Sequence, residues 1–126
     1  MENPGRKKVL VVDDSATMRM FLTMTVKKTL GVSVSEAVNG ADALAKLQSS
    51  DFDLVLTDMV MPEMDGVQLI EHIRASLSKT MPIVMVTTKG EEKDRDNGLS
   101  RGANSYITKP VNAHELKETI LKLLKG

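Results

Sequence analysis

Short apolar runs alternate with stretches of helical period along the whole chain, and this alternation constrains the fold most. The five runs are VLVV (9–12), VSVSEAV (32–38), DLVLTD (53–58), PIVMVTT (82–88) and SYITK (105–109). Between them, apolar residues recur at steps of three and four, as at Met18, Leu22 and Val26. Strands that alternate with helices of about ten to fifteen residues form βαβ units and a parallel sheet. We therefore predict an α/β fold, with five strands and five helices in one domain spanning 1–126.

The composition excludes several classes of protein. Lysine plus arginine equals aspartate plus glutamate at 17 each, so the chain lacks the basic excess of nucleic-acid-binding domains. Cysteine is absent, which excludes disulfides and thiolate metal sites. The run at 9–12 is shorter than a signal-peptide core of about 7–15 residues, and no stretch approaches the roughly 20 apolar residues of a membrane span. We expect a cytoplasmic protein, a monomer, with no nucleic-acid or membrane partner.

Helix-capping residues support the predicted boundaries. Ser15, Asp65 and Asn112 each stand where a helix is expected to begin, and their side chains can accept a hydrogen bond from the first turn. The fourth predicted helix, which falls in the segment 90–101, is weak. Its first nine residues, GEEKDRDNG, contain no apolar side chain that could dock it, and they end on a glycine inside the helix. We predict that this segment is marginally ordered.

Polar side chains stand at the ends of the apolar runs. Asp13 and Asp14 follow the first run, Asp58 ends the third, Thr87 and Thr88 end the fourth, and Lys109 ends the fifth. In a parallel sheet all of these ends lie at one edge, and open α/β sheets bind ligands there, at the point where the strand order reverses. If the order is 2-1-3-4-5, strands one and three are neighbours at that point. Three carboxylates then converge from two adjacent strands.

Three converging carboxylates need a cation. Oxygen ligands of this kind suit Mg²⁺ or Mn²⁺, and Mg²⁺ held by few carboxylates typically completes its shell with water and phosphate oxygens. The Thr87 hydroxyl and the Lys109 ammonium are suited to the same phosphate oxygens. An aspartate can itself act as the nucleophile and form an acyl phosphate. The pattern therefore indicates a phosphoryl group beside a metal ion.

Four motifs give the chain a resemblance to a known family. They are VVDDSATMR (11–19), DLVLTDMVMPEMDG (53–66), PIVMVTTK (82–89) and SYITKP (105–110). In this order and spacing the sequence resembles the receiver domains of two-component response regulators, and in particular their single-domain, CheY-like members. The resemblance covers roughly 7–125. It implies the flavodoxin-like, doubly wound fold with strand order 2-1-3-4-5.

The resemblance also implies roles for individual residues. Asp58 would be the phosphoacceptor, and Asp13 and Asp14 would bind Mg²⁺ directly or through water. The backbone carbonyl of Val60 would be a further metal ligand. No other cofactor is implied. The protein would be a signalling switch, and not an enzyme that turns over external substrates.

Thr87 and Lys109 would contact the phosphoryl group, and Tyr106 matches the family's rotating aromatic switch, with plain packing as the alternative role. Pro110 matches a position whose preceding peptide bond is cis in the family. The donor would be a sensor histidine kinase, a histidine phosphotransfer protein or acetyl phosphate. The output face would be formed by helix four, strand five and helix five, and it would contact an unidentified protein. Because the chain ends just after the fifth helix, we expect no output domain.

Two positions depart from the family's usual pattern. Val60 and Lys89 lie two residues after Asp58 and Thr87, where CheY-like members often carry polar or acidic residues that influence phosphoryl lifetime. The side chain of Val60 cannot hydrogen-bond an attacking water. We therefore expect the phosphorylated form to hydrolyse slowly for a CheY-like protein.

Two other classes remain as alternatives. An Asp-nucleophile, metal-dependent phosphatase of the haloacid dehalogenase type would place its two acids two residues apart, whereas Asp13 and Asp14 are adjacent. A flavodoxin-like FMN binder would keep acids out of its first loop, where they repel phosphate, and would need aromatic residues to stack the flavin. This chain has two Phe, one Tyr and no Trp. A chemotaxis CheY-like switch is our preferred interpretation.

Overall fold

The computed structural model describes residues 7–88 and 90–125, which form alternating strands and helices. The strands are β1 (Lys8–Val12), β2 (Ser33–Ala37), β3 (Leu54–Asp58), β4 (Ile83–Thr87) and β5 (Ser105–Thr108). The helices are α1 (Ala16–Leu30), α2 (Gly40–Ser49), α3 (Gly66–His72), α4 (Glu92–Ser100) and α5 (Ala113–Lys125). A π-helical turn, Ile73–Leu77, continues α3. Among the described residues, no helix combines the length and apolar character needed to cross a bilayer.

All strand pairs in the sheet are parallel, and the order is β2-β1-β3-β4-β5. The predicted fold class and strand order are therefore confirmed. The continuous apolar runs became the three central strands, where β3 and β4 are buried along their whole length. The other two runs, VSVSEAV and SYITK, became the edge strands β2 and β5, which are partly exposed. This division follows from burial on both faces in the middle of a parallel sheet.

Helices cover both faces of the sheet and bury a separate apolar core on each. On one face α1 and α5 pack over a cluster that includes Val9, Val11, Leu22, Val26, Leu56, Val84, Val86, Leu116 and Ile120. On the other face α2 and α3 pack over a cluster that includes Leu10, Val12, Ala43, Val55, Leu69, Ile70, Ile83 and Met85. Alternate residues of each central strand enter opposite clusters, as the pleat of a strand requires. The strand ends are thereby fixed relative to one another.

The predicted caps are present. Ser15, Asp65 and Asn112 each accept a hydrogen bond from the N–H three residues along the chain, at 3.3, 2.9 and 3.0 Å. Asp65 also belongs to a full capping box. Asn39 caps α2 in the same way at 2.8 Å, a cap that the sequence reasoning did not identify. These caps set where each helix begins after its strand, and so place the loops at the carboxyl edge.

Helix α4 forms inside the segment predicted to be marginally ordered. Its N-cap residue, Glu91, makes no side-chain capping hydrogen bond. Gly98 is buried because the helix approaches the sheet closely there, where a Cβ would meet the sulfur of Met85 and the terminal methyl of Met59. Close packing of α4 against the sheet therefore explains the glycine at position 98. The low order of this segment stays a prediction, which hydrogen exchange can test.

Candidate functional site

The carboxyl edge of the sheet brings the predicted site residues together. Asp13 and Asp14 follow β1, Asp58 is the last residue of β3, Thr87 is the last residue of β4, and Lys109 follows β5. Strands β1 and β3 are neighbours although β2 lies between them in sequence, so the strand order reverses between them. The site therefore lies at the switch point, where open α/β sheets bind their ligands.

Asp13 is fully buried and only half satisfied. Its Oδ1 accepts a hydrogen bond from the N–H of Ser15 at 2.8 Å, while its Oδ2 has no hydrogen-bond partner among the described residues. Burial raises the pKa of Asp13, although the Ser15 hydrogen bond and the charge of Lys109 oppose that rise. A buried carboxylate oxygen without a partner costs free energy unless a cation or a donor reaches it. This oxygen is a ready ligand for a metal ion.

Asp58 is also almost completely buried. Its Oδ1 accepts a hydrogen bond from the N–H of Met59 at 2.9 Å and lies 3.5 Å from Nζ of Lys109. Burial raises the pKa of Asp58 to about 6, the charge of Asp13 adds to the rise, and Lys109 opposes it. At neutral pH the carboxylate is still mostly ionised, which is the form required of a nucleophile.

The three carboxylates form a group that fits a divalent cation. One oxygen from each of Asp13, Asp14 and Asp58 lies within 4.8 Å of the others. All three are hard oxygen donors, the ligand type that Mg²⁺ and Mn²⁺ prefer. Asp14 is exposed, so the group opens to solvent on one side and leaves room for water or phosphate ligands. The orphaned Oδ2 of Asp13 and this donor set together support a metal site here.

A backbone hydrogen bond connects Lys109 and Thr87. The N–H of Lys109 donates to the carbonyl oxygen of Thr87 at 2.7 Å, and the Lys109–Pro110 peptide bond is cis, as the resemblance implied. Thr87 is buried at the end of β4. A cavity of about 330 Å³ lies beside it, lined by Thr87, Thr88, Glu91, Glu92, Arg95 and Thr108.

Tyr106 is 39% exposed and is therefore turned outward.

The structure describes one of the two residues that depart from the family pattern. Val60 is 54% exposed beside the site, so its side chain offers an apolar surface where water could approach. The ligand role of its carbonyl stays a prediction. Lys89 lies outside the described residues.

Two further residues shape the site and were not identified from the sequence as functional. Arg19 donates from Nη1 to the carbonyl oxygen of Asp13 at 2.8 Å and pairs with Glu36 at 3.0 Å, which fixes the end of β1. Gly66 begins α3 so close to β3 that a Cβ would lie 2.5 Å from the carbonyl oxygen of Asp58. An arginine six residues after the acid gives no local signal of this contact. The glycine that follows the Asp65 cap could have suggested a close approach.

Substituting Gly66 should show how tightly the acceptor strand is held. In Gly66→Ala the new methyl meets the backbone atoms of Asp58 and Met59, which cannot rotate away, so we expect a loss of about 2 kcal/mol of unfolding free energy. Gly98→Ala is the matched control, because there the methyl meets mainly a flexible Met85 side chain and alanine favours the helix by about 1 kcal/mol. Urea unfolding of both variants measures the difference. Equal stabilities would contradict the predicted backbone contact at Gly66.

This fold and site define the class: the chain belongs to the response regulator receiver domain family, whose model matches residues 9–121. It is therefore a receiver domain of two-component signalling. Receiver domains interact with histidine kinases or phosphotransfer proteins and with downstream targets, and they bind Mg²⁺ at an acidic pocket. The comparisons favour neither the phosphatase nor the FMN binder that the sequence left open.

Particular relatives include both single-domain and longer proteins. The chain is 40% identical over 115 residues to chemotaxis protein CheY1 of Helicobacter pylori, covering 90% of this chain and 93% of the relative. It is 38% identical over 125 residues to the transcriptional regulatory protein ResD of Bacillus subtilis, covering 99% of this chain but only 51% of ResD. The chain thus spans about half the length of ResD. The structure of Vibrio cholerae chemotaxis protein CheY4 superposes with a TM-score of 0.86 at 34% identity, over 94% of this chain and 99% of that one.

Proposed function

We propose that this protein is a phosphorylation switch that accepts a phosphoryl group on Asp58 and thereby changes a protein-binding face formed by α4, β5 and α5. The observation that carries the proposal is a buried aspartate at the switch point, with a lysine 3.5 Å away and two further acids beside it. A nucleophile, a cation to neutralise phosphate and a candidate metal site thus occupy one edge.

The transfer follows from the chemistry of these side chains. A carboxylate oxygen of Asp58 attacks the phosphorus of a phosphohistidine, the P–N bond breaks, and its electron pair returns to the imidazole nitrogen. The product is an acyl phosphate. The Lys109 ammonium stabilises the negative charge on the phosphoryl oxygens, and the Thr87 hydroxyl donates a hydrogen bond to one of them. Attack of water on the phosphorus later releases inorganic phosphate and restores Asp58.

A divalent metal ion would be held by Asp13, Asp14 and Asp58 together with the backbone carbonyl of Val60. Bound Mg²⁺, or Mn²⁺, supplies positive charge to phosphoryl oxygens whose repulsion would otherwise oppose transfer. The Ser15 N–H donates to one oxygen of Asp13, and the other oxygen, which has no partner within residues 7–88 and 90–125, would be available to the ion.

Phosphorylation then changes the output face. The modification adds roughly −1.5 to −2 charge and strong acceptor oxygens. Thr87 turns its hydroxyl toward them, and the outward ring of Tyr106 moves into the space beside Thr87. The cavity of about 330 Å³ between the end of β4 and α4 supports such a movement, because it already offers room there.

The similarity to CheY1 over 93% of its length favours a chemotaxis-type role. In such a role the donor is a sensor histidine kinase or histidine phosphotransfer protein, and the target is a downstream protein bound by the face of α4, β5 and α5. We propose that the protein acts as a cytoplasmic monomer without nucleic-acid or membrane partners.

The direct test is treatment with acetyl phosphate in Mg²⁺ and, separately, in chelator, followed by intact mass measurement. We expect the mass of one phosphoryl group to be added only when Mg²⁺ is present, and peptide mapping to place it on Asp58. Labelling on another residue, or labelling that is equal in chelator, would refute the proposal.

Val60→Asn should shorten the lifetime of the phosphorylated form. An exposed amide beside Asp58 can hydrogen-bond and orient a water that the valine cannot, so we expect decay to accelerate by at least about threefold. The rate is followed by loss of the phosphoryl mass after the donor is removed. Val38→Asn, at an exposed valine beyond β2, is the control and should leave the rate unchanged. An unchanged or slower decay in Val60→Asn would refute the hypothesis.

A further inference from the structure

Arg95 of α4 lies over the ring of Tyr106. Its guanidinium carbon is 5.1 Å from the ring centroid, and its Nε pairs with Oδ1 of Asp96 at 3.2 Å. We infer that Arg95 is a positioning residue that holds Tyr106 outward in the unphosphorylated protein. This inference rests on the proposed function. That function requires a switch, and the contact between Arg95 and Tyr106 sets the resting state of the switch.

The register of the sheet places Tyr106 on the α4 side. Tyr106 lies opposite Met85 on β4, and Met85 belongs to the core cluster of that face, directly below α4. The next residue, Ile107, is buried in the cluster on the other face. Thr87 and Thr108 lie opposite each other two residues further along, so they share the face of Tyr106. The ring of Tyr106 therefore lies next to α4, on the same face of the sheet as Thr87 at the carboxyl end of β4.

Arg95 also lines the cavity into which the ring would move, together with Thr87 and Thr108. A ring that enters this space must leave its present position relative to the guanidinium. The inferred role requires this contact to be stronger in the outward state than in the inward one, because a contact that differs between two states shifts their populations. An exposed cation–π contact shifts such a ratio by about two- to fivefold.

The pairing with Asp96 does not account for the arrangement by itself. Asp96 is adjacent in sequence and exposed, so an arginine pairing with it could extend along the helix in many directions. The observed direction places the cation over the only tyrosine of the chain. The aromatic ring is therefore the second partner that fixes the side chain.

The single tyrosine and the absence of tryptophan make the test direct. Protein labelled with meta-fluorotyrosine gives one fluorine resonance, and acrylamide quenching of the intrinsic fluorescence reports the same residue. In the unphosphorylated protein, Arg95→Met should raise the ratio of buried to exposed Tyr106 by about two- to fivefold. Arg95→Lys, which keeps the cation, should stay close to the wild type. Lys93→Met is the matched control, since it removes a charge from an exposed position of the same helix.

A shift confined to Arg95→Met supports the inference. Equal tyrosine signals in all variants would overturn it, and so would an equal shift in Arg95→Met and Lys93→Met, which would mark a general effect of helix charge. The proposed function is judged separately by labelling of Asp58 in the wild type. If Asp58 takes up phosphate while Arg95→Met leaves Tyr106 unchanged, the positioning role fails and the proposed function stands.

Discussion

An Asp58→Asn variant should incorporate no phosphoryl group from acetyl phosphate under conditions that label the wild type. Asparagine has nearly the same shape, so it preserves the packing of a residue that is only 6% exposed. An amide oxygen, however, is not a nucleophile of carboxylate strength and cannot form the acyl phosphate. The expected effect is a complete loss of phosphoryl incorporation, larger than that of any other single substitution proposed for this protein. Intact mass measured against time, in Mg²⁺, provides the readout.

Asp51→Asn is the matched control for this loss. Asp51 is exposed and lies just before β3, at the opposite edge of the sheet, so the same chemical change occurs far from the site. It should be labelled at the wild-type rate. Phosphoryl incorporation that persists in Asp58→Asn would place the acceptor elsewhere, and Asp13 and Asp14 would then be the residues to map first.

The fold was predictable because its two determinants are local patterns. Continuous apolar runs mark strands that are buried on both faces, and such runs became the central strands β1, β3 and β4. Residues at steps of three and four mark the helices between them. Helix α4, which the sequence predicted only as a weak helix, docks through a buried glycine, Gly98, and a glycine offers no apolar side chain for a pattern to detect.

The site was predictable only in part, for a similar reason. Acids that end strands of a parallel sheet meet at one edge, so the meeting of Asp13, Asp14 and Asp58 follows from topology. The contact of Arg19 with the carbonyl of Asp13 and the position of Arg95 over Tyr106 depend on how long side chains bend across neighbouring elements. No spacing in the sequence encodes those directions.

The same carboxylates that create the site should weaken the metal-free fold. The pKa of Asp58 rises from 3.8 to about 6 because of burial and the nearby charge of Asp13. An acid whose pKa is higher in the folded than in the unfolded state destabilises the fold once it is ionised. In chelator, the stability of the wild type should therefore fall as the pH rises from about 4 to about 6 and stay lower above that range. This shift corresponds to an upper limit of about 3 kcal/mol.

Asp58→Asn should consequently raise the unfolding free energy in chelator at neutral pH, by up to about 3 kcal/mol, because it removes one buried charge from the cluster. Adding Mg²⁺ should then reduce the difference in unfolding free energy between Asp58→Asn and the wild type. Binding to the folded state alone stabilises the wild type by about 1.4 kcal/mol at a tenfold excess over Kd, and the variant has lost one of its three carboxylates for the ion. Urea unfolding with and without Mg²⁺ measures both effects, and Asp51→Asn should follow the wild type throughout. If Asp58→Asn is no more stable than the wild type in chelator, these acids do not repel one another. If the variant gains as much stability from Mg²⁺ as the wild type does, the acids do not share a cation.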